Sequence, residues 1–179
     1  GLLTAVAEGA TYVVAAYSEP SLGGPVLADS TAVIVQLARL RVESGSPQTD
    51  TVGAPVAVPL TVQLVDSAGN RLTDAGISVV FKAVSGGGKF AAADTVVVPT
   101  NAQGQSSATP TLGNTAGAAT FTAYGPGLAG NPVSFSLTGV PDAPSAIVAD
   151  SGAAQTDTVA RTLAKALVVQ VRDRFGNAV

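Results

Sequence analysis

Apolar and polar residues alternate through the middle of this chain. In Leu60-Thr61-Val62-Gln63-Leu64-Val65, the residues Leu60, Val62 and Leu64 share one side, and Val65 falls on the other. A period of two is that of a strand with one buried face. Comparable runs predict strands over residues 77–84 (Val79, Phe81 and Ala83 inward), 95–98, 106–112, 118–124 (Phe121 inward) and 133–137 (Val133, Phe135 and Leu137 inward). Turn signals separate them: Asp66-Ser-Ala-Gly-Asn70, Ser85-Gly-Gly-Gly88, Asn101-Ala-Gln-Gly104, Gly113-Asn-Thr-Ala-Gly117 and Gly125-Pro-Gly127. Gly, Pro and β-branched residues interrupt every candidate amphipathic helix, so the reading is all-β. Two facing sheets would bury the alternating residues, with Phe81, Phe121 and Phe135 as bulky fillers.

The same pattern occurs twice. Gln48-Thr-Asp-Thr-Val52 returns as Gln155-Thr-Asp-Thr-Val159, a spacing of 107 residues, and residues 42–72 match residues 149–179 at 14 of 31 positions without gaps. The matches include Ser44-Gly45 with Ser151-Gly152, Leu60 with Leu167, Asp66 with Asp173, and Gly69-Asn70 with Gly176-Asn177. Inward Leu60, Val62 and Leu64 become Leu167, Val169 and Val171, whereas outward Val65 becomes Arg172. A period near one hundred is too long for a solenoid coil or propeller blade and suits whole sandwiches in tandem. The second copy stops about a third of the way through its domain. The opening, Gly9-Ala10-Thr11-Tyr12-Val13-Val14-Ala15, lines up with Gly117–Ala123, a domain's end. The expected organisation is therefore a domain tail (1–37), a complete domain (38–140) and a domain head (144–179), with residues 139–145 and their two prolines as a short, stiffened linker.

These residues resemble tandem bacterial immunoglobulin-like domains of the invasin and intimin type (group 1). The likeness rests on PLTVQLVDSAGNRLTDAGISVVFKAVSGGGKF (59–90), TNAQGQSSATPTLGNTAGAATFTAYGPGL (100–128) and PDAPSAIVADSGAAQTDTV (141–159). The opening GLLTAVAEGATYVVAAY resembles the end of a group 2 bacterial immunoglobulin-like domain. The resemblance implies tandem immunoglobulin-like β-sandwiches in a secreted or surface-anchored bacterial protein, where such domains space, display or adhere. It carries over no catalytic residue.

Composition narrows the function further. Aromatic residues are 4% of the chain, so the core must be thin and built from small branched side chains. Charged residues are 12%, about half the usual share. A net charge of −3 with nine scattered Lys and Arg leaves no basic stripe for nucleic acid or an anionic membrane surface. The apolar run 10–17, between Glu8 and Glu19-Pro20, is too short to cross a bilayer and reads as a strand, so no membrane insertion is expected in this segment. The chain has no Cys and no Met, and position 1 is Gly, from which a processed product or a piece of a longer protein is expected.

Candidate chemistry is sparse. Asp66 with Asn70, and Asp173 with Asn177, could offer oxygens to Ca2+ at domain junctions. One carboxylate per loop falls far short of a calcium shell, and an Asp that starts a turn is the plainer reading. Asp142 and Asp150 flank the linker and could meet Asp50 or Asp157 around an interdomain ion. Ser85-Gly-Gly-Gly-Lys89 lacks the Ser or Thr and the helix that a phosphate loop requires. Lys82, a formal candidate for an isopeptide crosslink, should point outward. With no His and no Cys the usual bases and thiol nucleophiles are missing, so neither an enzyme nor a cofactor is expected. A glycan or a host or cell-surface receptor could meet edge strands or the loop 124–131, although Tyr12, Tyr17 and Tyr124 are the only tyrosines available as a platform. The expected function is a rod, stalk or spacer outside the cell, or an adhesin. Its partners would be neighbouring immunoglobulin-like domains of the same protein or of adjacent subunits. The alternatives are a filament or surface array assembled by strand complementation, and a binding module.

Overall fold

The structure, a computed structural model, describes the strand pairing of residues 9–17 and 27–35 and the full structure of residues 38–179. Every regular element among the described residues is a strand. Strands β1 (Gly9–Tyr17) and β2 (Leu27–Val35) pair antiparallel in a sheet of their own. The expected strand over 10–17 is thus present. The reading of 1–37 as a domain tail, and the side chains of Tyr12 and Tyr17, lie outside the described residues.

The central sandwich comprises β3 (Arg39–Ser44), β4 (Gln48–Thr51), β5 (Leu60–Val65), β6 (Ser78–Ser85), β7 (Thr95–Pro99), β8 (Gln105–Ala108), β9 (Gly117–Tyr124) and β10 (Val133–Val140). They form a five-stranded sheet, β4-β10-β9-β6-β7, and a three-stranded sheet, β3-β5-β8. All pairs are antiparallel except β4 with β10. The chain therefore leaves one sheet after β3 and joins the other at β4, through Ser46 and Pro47.

Between the sheets lie Leu40, Leu60, Val62 and Leu64 from one layer and Val79, Phe81, Ala119, Phe121, Ala123, Phe135 and Leu137 from the other. The expected fillers Phe81, Phe121 and Phe135 are completely buried, and Phe90 joins them. Phe90 meets Phe121 edge-on at 5.7 Å between centroids, and Phe81 lies 6.3 Å from Phe90 and 6.4 Å from Phe135. Such aromatic contacts add to area burial. In a chain so poor in aromatics, Phe81, Phe121 and Phe135 are the largest fully buried side chains.

Three strand expectations change. The outward side of β5 is covered: Gln63 and Val65 are buried, because the segment after the 66–70 turn folds back across it. Leu72 N–H donates to the Leu64 carbonyl at 2.9 Å, and Leu64 N–H to the Gly104 carbonyl at 2.9 Å. The Gln63 amide donates into this cover, to the carbonyls of Leu72 (2.9 Å) and Gln103 (3.0 Å). The strand expected over 106–112 ends at Ala108, because Pro110 cannot donate to a ladder. The expected linker shrinks to residues 141–143, since β10 runs to Val140 and β11 (Pro144–Ser151) starts at once.

β11 pairs antiparallel with β12 (Val168–Asp173). The side expected to face a core is open here, with Leu167 69% and Val169 61% exposed. Residues 144–179 contribute this one sheet, and no described residue lies across the open side as Phe81, Phe121 and Phe135 do in the central sandwich.

The repeated pentapeptide has a specific task. The Gln48 amide donates to the carbonyls of Gly45 and Val58, both at 2.8 Å, and its oxygen accepts Val58 N–H at 3.2 Å. One period on, Gln155 donates to Gly152 (2.7 Å) and Lys165 (2.8 Å) and accepts from Lys165 N–H (2.8 Å). One side chain thus holds a tight glycine turn to a loop ten residues later. Gly45 and Gly152 have φ of 86° and 81°, and a Cβ on either would strike the carbonyl oxygen of Pro59 or Ala166. Glycine is required there by both torsion and space.

Two stability predictions result. Phe121→Ala should destabilise the central sandwich by about 3–5 kcal/mol through loss of burial and a cavity, measured by denaturant unfolding. Gln48→Ala, which strands backbone groups in the loop, should cost about 1–3 kcal/mol in the same assay.

Candidate functional site

Three of the sequence candidates, Asp142, Asp173 and Asn177, meet at the junction between the central sandwich and the sheet β11–β12. The turn 173–177 connects the end of β12 to Ala178, and Asp173 organises it. Asp173 Oδ1 accepts the N–H groups of Phe175 (2.9 Å) and Asn177 (2.8 Å). Its Oδ2 accepts the Asn177 side-chain amide (2.8 Å) and, across the short link, Asp142 N–H (3.0 Å). Four donors thus serve a nearly buried carboxylate, as a charge away from water requires.

Asn177 carries the contact to the central sandwich. Its Oδ1 accepts Ala116 N–H at 2.9 Å, and its Nδ2 donates to the Asn114 carbonyl at 2.8 Å. Both partners are backbone groups of the loop between β8 and β9. Beside them the Phe175 ring lies over Gly53, where an added Cβ would come within 2.6 Å of the ring. Gly53 also has φ of 71°. Its counterpart one period on, Ala160, keeps the left-handed torsion at φ of 65° without being glycine, so the bare surface at Gly53 serves the ring above it. The Arg174 guanidinium stacks on Phe175 at 4.6 Å, and its Nε meets Asp142 Oδ2 at 2.9 Å.

The other candidates are placed elsewhere. Asp66 and Asn70 repeat the internal geometry of the turn: Asn70 N–H donates to Asp66 Oδ1 at 2.8 Å and its amide to Oδ2 at 2.9 Å. Asp142 belongs to the junction with Asp173 and Arg174, an arrangement that the expected meeting with Asp50 or Asp157 missed. Asp50 Oδ1 accepts Ala57 N–H at 3.0 Å, Asp157 Oδ1 accepts Thr158 N–H at 2.7 Å, and Asp150 sits exposed on β11. Among the described residues no three His, Cys, Asp or Glu side chains gather as a metal site would need. Lys82 is exposed, as its register demands, and Lys89 pairs with Asp94. Gly86 and Gly88 pack closely on Ala119 and the Phe121 ring, which explains them without a phosphate. Tyr124 stands beside an open groove with Lys82, Val84, Thr122, Asn131 and Pro132. The loop after it is closed by Asn131, whose amide donates to Gly125 (2.8 Å) and Leu128 (2.6 Å). Asn177, Gly53 and the 113–117 loop were not singled out as a unit from sequence, because only the docked turn reveals their shared role.

No family model matches this chain, and no curated protein does. Among solved structures it is similar to the Yersinia pseudotuberculosis adhesin InvE, at 17% identity and a TM-score of 0.47, over 75% of this chain and 49% of that one. It is also similar to surface layer protein SbsC, domains 4–9, at 18% identity and a TM-score of 0.43, over 98% of this chain and 26% of that one. For domains 1–6 of SbsC the values are 16% and 0.41, over 96% and 20%. The chain thus spans about half the length of InvE or less of the others.

Burial raises the pKa of Asp173, but the Asn177 amide and the N–H groups of Asp142, Asn177 and Phe175 outweigh it and hold the carboxyl down to about 2, from 3.8. Asp66 is lowered as well, first by the Asn70 amide and then by the Asn70 N–H, against desolvation. A depressed folded pKa stabilises the turn fully above the unfolded value, and that contribution is lost as pH falls through the folded one. The Asp142 and Asn177 amide resonances should therefore titrate with a midpoint near 2 in a pH series of amide NMR spectra. A midpoint near the ordinary value of about 3.9 would contradict this reading of the turn.

Proposed function

We propose that this chain is a non-catalytic structural repeat region of a secreted or cell-surface bacterial protein, acting as a rod, stalk or spacer. The supporting observation is the junction: residues 141–143 are the whole link between β10 and β11, and the Asn177 side chain holds the next turn to backbone groups at the loop end of the sandwich. A link this short, clamped by Asn177, Phe175 and the Asp142–Arg174 pair, resists bending and transmits position from one module to the next. Low charge and abundant small residues suit an exposed β-rich polymer. The bacterial and surface setting rests on the resemblance to invasin and intimin domains.

A second reading, assembly into a filament or surface array, is favoured by one observation. The open side of β11–β12 presents Ile147, Leu167, Val169 and Val171, the counterpart of a side that the central sandwich buries under Phe81, Phe121 and Phe135. An apolar side of this kind calls for a second sheet, from the same polypeptide or an adjacent one. A glycan- or receptor-binding role draws less support, because the 124–131 loop is tied to itself by Asn131.

Small-angle scattering tests the first reading. A compact globule of this length would have a radius of gyration of about 16 Å. A clearly larger value with an elongated distance distribution is expected, and a value near that of the globule would overturn the proposal.

A further inference from the structure

Four strands border the central sandwich: β4 and β7 in the larger sheet, β3 and β8 in the smaller. The free edge of a sheet offers unpaired backbone groups to another chain unless charge, shortness or a bulge blocks it. Three of these edges carry such a block. β4 has four residues and includes Asp50, and β8 has four residues. β3 combines Arg39, Arg41 and Glu43 with a register shift between Val42 and Ser44. β7, Thr95-Val-Val-Val-Pro99, has no charge, and its pairing with β6 runs without a shift. Its one guard is Pro99, at the last position. Among the described residues no strand pairs with its other side.

The register tells which backbone groups of β7 face outward. Ala83 N–H donates to the Asp94 carbonyl at 2.8 Å, and Thr100 N–H donates to the Ile77 carbonyl at 2.9 Å. Asp94 and Thr100 thus address β6. Alternation then turns Val96 and Val98 toward β6 as well, and leaves the N–H and C=O groups of Thr95 and Val97, with the Pro99 carbonyl, pointing outward. Ser106 Oγ donates to the Val98 carbonyl at 2.9 Å and ties this edge to β8. Beneath the edge lies an open apolar cleft lined by Phe90, Val96, Val98 and Ala108. On the other side of the strand Val97 is 58% exposed. Asp94, just before the strand, is paired with Lys89.

We propose that β7 pairs with β7 of a second copy of this chain, antiparallel about a two-fold axis at Val97. The strand suits its own image. From Val97 it reads one valine in either direction, then Thr95 or Pro99, and it holds no charge to repel itself. Each Val97 exchanges N–H and C=O bonds with the partner's Val97, and each Thr95 N–H donates to the partner's Pro99 carbonyl. Pro99 has no N–H to give, but it stands at the end of the ladder, where the opposed Thr95 carbonyl stays in water. The inward side is satisfied too. Val96 lies opposite the partner's Val98, so the paired strands lay valines over the mouth of each cleft. The two five-stranded sheets become one continuous sheet. The contact uses the side of the sandwich and not its ends, so it is independent of the rod reading.

The chain contains no Cys, so one nitroxide on Ser134→Cys reports pairing of the full chain by electron–electron double resonance. Ser134 shares an outward row with Thr122, Lys82 and Thr95, three strands in from β7. A single copy gives no dipolar signal. The two-fold pair gives one distance of about 35 Å, from strand spacings of about 4.8 Å and a rise of about 3.4 Å per residue. Sedimentation velocity over a concentration series is expected to show one and two copies in equilibrium. Val97→Lys should weaken the pair by about tenfold or more, because two lysines then face each other. Val97→Glu should do the same, and a mixture of the two variants should regain the pair. A single copy at every concentration overturns the proposal. So does association that Val97→Lys leaves untouched, which is the result if the open side of β11–β12 makes the contact. Loss in both variants without recovery in the mixture overturns it as well. Should either variant unfold, the Ser134 distance with Val97 in place decides: about 35 Å supports the proposal, and any clearly different value overturns it.

Discussion

The shortness of the link after β10 governs how this protein is put together. Residues 141–143 can span only about 10 Å when extended, so the turn ending β12 is carried onto the loop end of the central sandwich whether or not its surface suits that place. Polar groups brought into such a contact lose water and must find partners. Asp173 and Asn177 meet that demand for both sides at once. The carboxylate gathers the N–H groups of the turn and of the link, and the amide completes the backbone of the 113–117 loop. Phe175 and bare Gly53 fill the remaining space.

The residues that recur at a period of 107 are of two kinds. Some belong to the core, as Leu60 and Val62 do, although Leu64 there gives way to Val171 and a branched side chain of similar volume serves. Others are the positions at which one side chain must meet several backbone groups in fixed directions: Gln48 and Gln155 across a glycine turn, Asp66 and Asp173 at the head of a loop. A hydrogen-bonded loop tolerates fewer substitutes than an apolar layer. That is why QTDTV and Asp-x-x-Gly-Asn stand out from sequence that has otherwise drifted.

Much of the sandwich was legible from alternation alone, including the inward registers of β5, β6, β9 and β10 and the outward placement of Lys82. Alternation failed where a strand is covered on both sides. Nothing in Leu60–Val65 announces that Leu72 and Gly104 fold across its outer side, where Gln63 and Val65 are buried, because the covering residues come from two other segments of chain. It failed again at Leu167, Val169 and Val171, which carry the pattern of a buried layer but meet no opposing sheet among the described residues. The junction was the least legible part. Asp142, Asp173 and Asn177 were each noticed, but as candidate ion ligands, since residue type indicates oxygen chemistry and is silent on which donor lies opposite.

The sequence by itself determined the all-β class, the period of the repeat, the turns and the rings that fill the core. These depend on local torsion and on a two-residue period, both of which short stretches of chain express. Only the tertiary structure decided which outer surfaces are covered, that Asp142 answers to Asp173 and Arg174, and that Gly53 is bare for the sake of Phe175. Most of those facts concern groups far apart in the chain, and their pairing depends on where the sheets bring the loops.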